Sequence, residues 1–338
     1  MFSTAIVISI FLGLTVCQLV FWAAFLYLGL RWAKAEHPSI GRITAATLIA
    51  FLIQLICAVP MYTWQSESVA SDLLLIAVFL VSIAGQILLI SRFFRTTILL
   101  ALLAWLPTLV TYAAVLLLQM ILIRPYLVEA FIMPTVSMAP TLLGQHRRGA
   151  CAVCGELAFC STPSPSGTDP YRDRMICAKF FHTSNGEIHG EHVFQQDRFL
   201  AIKFFTPRRW DVIVFRNPAK PSQFFAMRLV GLPGERIHIE DGFVWINGEK
   251  VTPPERLRGI RYSNEHPSGR VGWATSDTPA TLGADELFVL GDFTERSNDS
   301  RFWRKGSTRR QPFAVPMSHV IGVVTHIYWP RERWRILR

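Results

Sequence analysis

Four long stretches without a charged side chain constrain this chain more than any other feature. Residues 5–30, 43–63, 73–91 and 96–123 contain no Asp, Glu, Lys, Arg or His. Each approaches or exceeds the ~20 residues a helix needs to cross a bilayer. Four such runs in the first 125 residues argue against buried helices of a soluble core, and the 51% hydrophobic composition of the 338 residues agrees. The expectation is a membrane domain over 1–125 with four transmembrane helices at about 5–30, 43–63, 73–91 and 96–123. The first run is too long for the apolar region of a signal peptide, and no Lys or Arg precedes it. No run carries an ionisable residue that would mark a transport pathway, which speaks against a transporter.

The connections set the orientation. Residues 31–42 carry Arg31, Lys34 and Arg42, and the third connection carries Arg92 and Arg95, whereas 64–72 has Glu67 and Asp72 and no base. Basic loops stay in the cytoplasm, so the N-terminus and everything after Arg124 are expected on the extracytoplasmic side of the cytoplasmic (inner) membrane. The net charge of +10 is concentrated in the second half, in pairs such as Arg208-Arg209 and Arg309-Arg310 and in the run Arg331 to Arg338. A tethered external domain has no ready access to nucleic acid. A face held near anionic headgroups is the expectation, so the membrane is a partner and nucleic acid is not.

The segment 126–143 opens the polar part of the chain. Within it Ser137 lies between Pro134 and Pro140, flanked by small residues. Proline fixes its own φ and biases the preceding residue toward extended backbone, so this stiff, non-helical stretch can present both the serine hydroxyl and its N–H. An acyl-transfer nucleophile requires that presentation.

Residues 144–196 read as a Cys- and His-rich insertion with little periodicity. From 197 to 338 the pattern changes to β-like segments: Phe199 to Phe205, Asp211 to Arg216, Phe224 to Leu232, Ile237 to Ile239, Phe243 to Ile246, Glu286 to Leu290 and His319 to Trp329. Asn247-Gly248 is a two-residue hairpin signal, and Pro233-Gly234 marks a tight turn. A second insertion, about 253–284, is rich in Pro, Gly, Ser and Thr. The fold expected is a multi-pass helical membrane domain followed by a mainly antiparallel β domain interrupted twice.

Cys17 and Cys57 fall inside apolar runs and read as packing residues. Cys151, Cys154, Cys160 and Cys177 all lie in the first insertion, where Cys151-x-x-Cys154-Gly155 has the form of one zinc-ribbon knuckle. Its partners come from Cys160, Cys177, His182, His189 and His192. Three readings stand: a structural zinc within 151–192, with Cys151, Cys154, Cys160 and Cys177 as the candidate set, two disulfides in an oxidising compartment, or free thiols. No cofactor is expected for catalysis.

Four stretches in order resemble the type I signal peptidases, membrane-anchored serine proteases that use a Ser-Lys pair. Pro134 to Leu142 resembles the box Pro-Ser-x-Ser-Met-x-Pro-Thr-Leu, and Arg209 to Phe215 resembles Arg-Gly-Asp-Val-Ile-Val-Phe with Trp210 in place of glycine. Arg228 to Gly234 is similar to Arg-Val-Val-Gly-Leu-Pro-Gly, while Gly291-Asp292 and Ser297 to Arg301 resemble the two ends of Gly-Asp-Asn-Arg-Asp-Asn-Ser-x-Asp-Ser-Arg. The resemblance covers 129–143 and most of 197–330. It implies Ser137 as nucleophile, the Thr135 hydroxyl in the oxyanion hole, Ser297 orienting the base, and Asp299 with Arg301 as a salt bridge beneath the site. Arg228, beside the base position, is read as structural.

The departure from the family is chemical. The residue before that arginine is lysine in the bacterial family and histidine in the endoplasmic-reticulum branch, and here it is Met227. A buried neutral amine takes the serine proton, whereas a thioether is a weak acceptor without useful basicity. Arg228 does not deprotonate and points to the other face of a strand, leaving Lys203 and Lys220 as relocated candidates. Residues Phe293 to Arg296 have drifted from the same box. Two functions follow. One is a signal-peptidase-like serine endopeptidase acting on exported precursors with an unidentified base. The other is a catalytically inactive homologue that binds signal-peptide-like segments or partner proteins at the membrane surface.

Overall fold

The computed structural model describes residues 2–35, 38–63, 69–162, 174–185, 192–266 and 269–338. Glu67 and the candidate ligand His189 lie outside the described residues. The chain divides into two compact units, Met1–Leu122 and Ile123–Arg338.

The first unit contains α1 (Phe2–Trp32), α2 (Ile40–Thr63), α3 (Val69–Phe93), α4 (Ile98–Trp105) and α5 (Leu109–Leu118). A 3₁₀ turn, Leu106–Thr108, separates α4 from α5, and a π-helical stretch over Gln119–Leu127 follows α5. Pro107 accounts for the tightened turn, since it has no N–H to give to a regular helix. Among the described residues four spans are long and apolar enough to cross a membrane: Leu12–Trp32, Ile40–Ala58, Leu73–Phe93 and Ile98–Leu127. Large apolar side chains such as Leu52, Phe79, Leu99 and Ile121 face outward, while Ala46, Ala50, Ala101 and Ala104 are buried between helices. A Cβ added at Gly29 would stand 2.0 Å from the Ala104 carbonyl oxygen, so glycine lets two backbones touch. The Gln86 side chain is buried and accepts a hydrogen bond from Trp105 Nε1 at 2.9 Å. Small and polar inside with apolar outside is how helices pack when lipid is the solvent.

The second unit carries sixteen strands among the described residues: β1 (Val128–Ile132), β2 (His146–Ala150), β3 (Leu157–Ser161), β4 (Arg174–Cys177), β5 (Thr183–Asn185), β6 (Arg198–Ile202), β7 (Val212–Arg216), β8 (Phe224–Gly231), β9 (Arg236–Glu240), β10 (Phe243–Ile246), β11 (Glu249–Lys250), β12 (Ala280–Thr281), β13 (Glu286–Leu290), β14 (Val315–Pro316), β15 (Val320–Trp329) and β16 (Arg335–Ile336). The main sheet runs β1-β6-β15-β7-β8-β13-β14, with β16 against β15. A second sheet runs β11-β10-β9-β12 and a third β2-β3-β4-β5, and the strand pairs are antiparallel.

Alternation along β8 and β13 feeds two cores, because successive side chains in a strand point to opposite faces. Met227, Leu229 and Val289 enter a core with Phe199, Ile213 and Phe215, while Val230, Phe288 and Leu290 join Ile237, Val244 and Leu282. Asn247 and Gly248 have φ of 53° and 88°, the left-handed pair a two-residue hairpin loop needs between Ile246 and Glu249.

Several expectations are corrected in detail. The strand expected over Phe199 to Phe205 stops at Ile202, so Lys203 lies just beyond it. The first insertion is not without regular structure: its described part forms the third sheet, whose strands of three to five residues are too short to give a periodicity. The second insertion contributes β12 and the buried Leu257, Ile260, Tyr262 and Leu282 to the core of the second sheet.

Candidate active-site groove and cysteine cluster

The segment following β1 carries Ser137. Met133 N–H donates to Asp197 O at 2.9 Å, and Ala139 and Leu142 N–H donate to Val136 and Met138 O, closing successive tight turns around the serine. The Ser137 carbonyl accepts from Phe293 N–H at 3.0 Å, which ties the segment to the loop after β13. That approach demands glycine at 291, where an added Cβ would lie 2.0 Å from Ser297 Oγ and 2.7 Å from Ser137 O. Gly144 has the same role, since its Cβ would fall 2.6 Å from the Thr135 backbone.

Ser137 and Met227 line one groove enclosing about 410 Å³. Its walls include Phe131, Phe199, Val214, Phe225 and Ala226, with Thr135, Arg296 and Asn298 as further polar groups. Thr135 Oγ1 and Ser137 Oγ are 3.0 Å apart. Among the described residues lining this groove there is no lysine and no histidine. Lys203 is engaged elsewhere: its Nζ lies 2.8 Å from Glu129 Oε2, and Arg124 Nε donates to Glu129 Oε1 at 2.8 Å. Burial pushes the Glu129 carboxyl up, but hydrogen bonds from Lys203 and Arg124 outweigh it and hold it below the usual range. Lys220 is exposed in the turn between β7 and β8, and it does not line the groove. Ser297 is fully buried, and its Oγ has no hydrogen-bond partner among the described residues.

Two buried ion pairs tie together the segments that carry the groove residues. Arg301 and Asp299 are joined at 2.7 Å with both side chains at 0% exposure, and Asp299 Oδ2 also accepts from Gly291 N–H at 2.8 Å. Arg228, on the face of β8 opposite Met227, donates to both carboxylate oxygens of Asp292, to Trp210 O at 2.6 Å and to Thr141 Oγ1 at 3.1 Å. Burial works against the Arg228 charge, and Asp292 more than offsets it, raising the guanidinium pKa further. Thr141 in turn donates to Asp292, so the nucleophile segment, β8 and the loop after β13 meet at one carboxylate. The Asp299–Arg301 pair is the one the family resemblance implies, whereas the partner of Arg228 is Asp292 of the Gly291-Asp292 pair. Trp210 adopts φ 72° in the left-handed region where the family motif has glycine, and its ring is buried in the core of the second sheet.

The cysteines divide differently from the sequence expectation. Cys151, Cys154, Cys177 and His182 bring their ligand atoms within 4.8 Å of one another. Cys160 is outside this group, with its Sγ against Arg147 O at 3.8 Å, so His182 takes the place in the candidate set that Cys160 was given. The cause is strand alternation and reach: Cys160 sits inside β3, whereas the other four flank the turns of the β2–β3 and β4–β5 hairpins. His182 had been among the named partners, but nothing in the spacing favoured it.

Fold and groove together define a multi-pass membrane protein whose antiparallel β domain presents a serine in an apolar cleft. Comparison with known proteins narrows the class: residues 102–329 match the family model described as signal peptidase, peptidase S26, and the chain belongs to that family. It is 25% identical over 204 residues to signal peptidase I of Rickettsia bellii (strain OSU 85-389), covering 54% of this chain and 61% of that protein. It is 32% identical over 142 residues to signal peptidase I of Leptolyngbya laminosa, covering 40% and 59%. The chain thus spans about three fifths of the length of these relatives. The crystal structure of a signal peptidase I from Enterococcus faecalis V583 aligns at 28% identity with a TM-score of 0.26, over 36% of this chain and 98% of that one.

Proposed function

We propose that the β domain is a receptor groove for signal-peptide-like segments of exported precursors, held at the extracytoplasmic surface of the inner membrane, in which the family's Ser-Lys cleavage is lost. The observation that carries this reading is the pair Met227 and Ser297: a thioether faces the groove that holds Ser137, and the hydroxyl that would orient an amine has no partner among the described residues. A serine hydroxyl without a positioned base is a poor nucleophile, and removal of such a base typically slows reaction ~10²–10⁴-fold.

Binding does not need the base. β1 is the outer strand of the main sheet, and Phe131 and Ile132 from it line the groove, so an extended peptide can add along that edge while small side chains enter between Phe225, Ala226 and Met227. The basic C-terminal run and the apolar helices favour attachment to anionic bilayers.

The test is binding of a fluorescent signal-peptide-like peptide to the purified full chain in detergent. Wild type is expected to bind saturably, and Ala226→Trp, which fills the groove, is expected to weaken binding at least tenfold. Equal affinity in the two proteins would overturn the assignment of the groove. The retained Thr135–Ser137 hydroxyl pair favours a second reading, cleavage with an unidentified base, and the two are separated by the measurement that closes the Discussion.

A further inference from the structure

We propose that Cys151, Cys154, Cys177 and His182 hold one structural zinc ion, and that this metal clamps the third sheet as a buttress beneath the nucleophile segment. The sulfur of Cys151 lies 3.8 Å from His182 Nδ1, and the sulfurs of Cys154 and Cys177 are 3.7 Å apart. Zinc–sulfur bonds of about 2.3 Å and zinc–nitrogen bonds of about 2.0 Å at tetrahedral angles give edges of about 3.8 Å for S···S and about 3.5 Å for S···N. The Cys154–Cys177 separation matches such an edge and the Cys151–His182 separation lies close to one, with all four ligand atoms within 4.8 Å of one another. A disulfide needs sulfurs at about 2.05 Å, and three cysteines with one histidine do not pair off as two disulfides.

Each half of the site is a tight knuckle. In the first, Gly155 N–H donates to Cys151 O at 2.8 Å with Gly155 at φ 72°, and Cys151 N–H donates to Glu156 O at 2.8 Å. In the second, Cys177 N–H donates to His182 O at 2.9 Å, and Phe180 N–H points at Cys177 Sγ at 3.5 Å. Backbone N–H groups aimed at a ligating thiolate stabilise its charge. Binding turns three thiols into thiolates and releases their three protons to solvent. Net charge at the centre is then one negative, with Lys179 in the second knuckle.

What the sheet supports explains why a metal belongs there. Phe159 of β3 and Ile176 of β4 pack with Val136, Ala139 and Leu143 of the nucleophile segment and with Phe293. Arg174 and Thr183 both bond the carboxylate of Glu295, and Arg296 donates to Ser161 Oγ at 2.8 Å. Phe293 to Arg296 is the stretch that drifted from the family box, and it is the stretch that holds this sheet. With strands of three to five residues, the sheet has little core of its own beyond Cys151, Ala158, Cys160, Met175 and Cys177. Small units of this kind are commonly stabilised by metal.

The experiment is metal analysis of the purified full chain, together with X-ray absorption at the zinc edge and intact-mass measurement after alkylation. Expected are one zinc per chain, a shell of three sulfurs and one nitrogen, and all cysteines alkylated only after denaturation with a chelator. Cys154→Ser and His182→Ala should lose the metal, His182→Cys should retain it, and Cys160→Ser should bind one zinc as wild type does. In hydrogen exchange, stripping the metal should raise exchange over residues 135–143 and over the third sheet while leaving β7 and β8 unchanged. Wild type with no zinc, a mass showing disulfides among the four, or a Cys160→Ser protein that alone loses the metal would overturn the proposal.

Discussion

Replacing Arg228 by alanine tests whether one buried carboxylate holds the groove together. Asp292 has an exposure of 0% at its side chain and takes its charge compensation from Arg228, whose own side chain is 2% exposed. Removing the guanidinium leaves that carboxylate buried and uncompensated, and also strips a donor from Trp210 O and Thr141 Oγ1. Breaking a buried pair from one side costs about 3–5 kcal/mol. In a unit of about 200 residues each kcal/mol moves Tm by about 2–4 °C, so Arg228→Ala should lower the Tm of the β unit by about 6–20 °C. The assay is tryptophan-fluorescence melting of the full chain in detergent. The double variant Arg228→Met/Asp292→Leu should melt closer to wild type than Arg228→Ala, because removing both charges removes the desolvation penalty with the attraction. A shift under about 2 °C for Arg228→Ala, or a double variant worse than the single changes combined, would refute the account of the pair as the site's anchor.

Two further outcomes follow from named contacts. His146 is fully buried with Nδ1 2.9 Å from Gly144 O; burial chiefly, with Arg148 and Arg333, depresses its pKa to about 4 despite Gly144 O and Asp197. The unfolded chain therefore takes up this proton near pH 6.5 and the folded one only near pH 4, so stability is lost as pH falls between them, by about 3 kcal/mol in total. Denaturant melts at pH 7 and pH 4.5 should show a smaller acid loss for His146→Gln than for wild type, and equal losses would remove His146 as the cause. Gly144→Ala drives a Cβ to 2.6 Å from the Thr135 backbone, so it should destabilise by about 1–3 kcal/mol and weaken peptide binding. Wild-type melting and binding would show that the segment yields freely there.

The sequence made the helices and the groove legible for different reasons. Uncharged runs of the required length are a strong signal because lipid leaves so few alternatives, although Pro107 broke the fourth run into pieces that hydropathy does not resolve. The ordered boxes identified Ser137, Met227, Ser297, Asp299 and Arg301, and the structure places Ser137 and Met227 on one groove and Asp299 against Arg301. Long-range pairings were not legible. The partner of Arg228 is 64 residues away, and the contact between Arg174 and Glu295 spans 121. Neither spacing carries a local signature. The third sheet is not legible because strands of three to five residues rich in Arg, Cys and Ser offer no clean alternation, and His182, one of five candidate partners by sequence, is singled out only by the hairpins that set it beside Cys151.

Cleavage of a signal-peptide-bearing precursor by the purified full chain tests the central claim most directly, comparing wild type, Ser137→Ala, Met227→Lys and Met227→Lys/Ser137→Ala. Met227 is 4% exposed, so a lysine there would have its pKa lowered by burial and present a neutral amine to Ser137, with Ser297 Oγ free of other described partners to orient it. The account predicts no Ser137-dependent product from wild type and cleavage by Met227→Lys at least about 10²-fold above the wild-type background, abolished when Ser137→Ala is added. Wild-type cleavage that disappears in Ser137→Ala would contradict it, because the chain would then possess a base that the groove does not display.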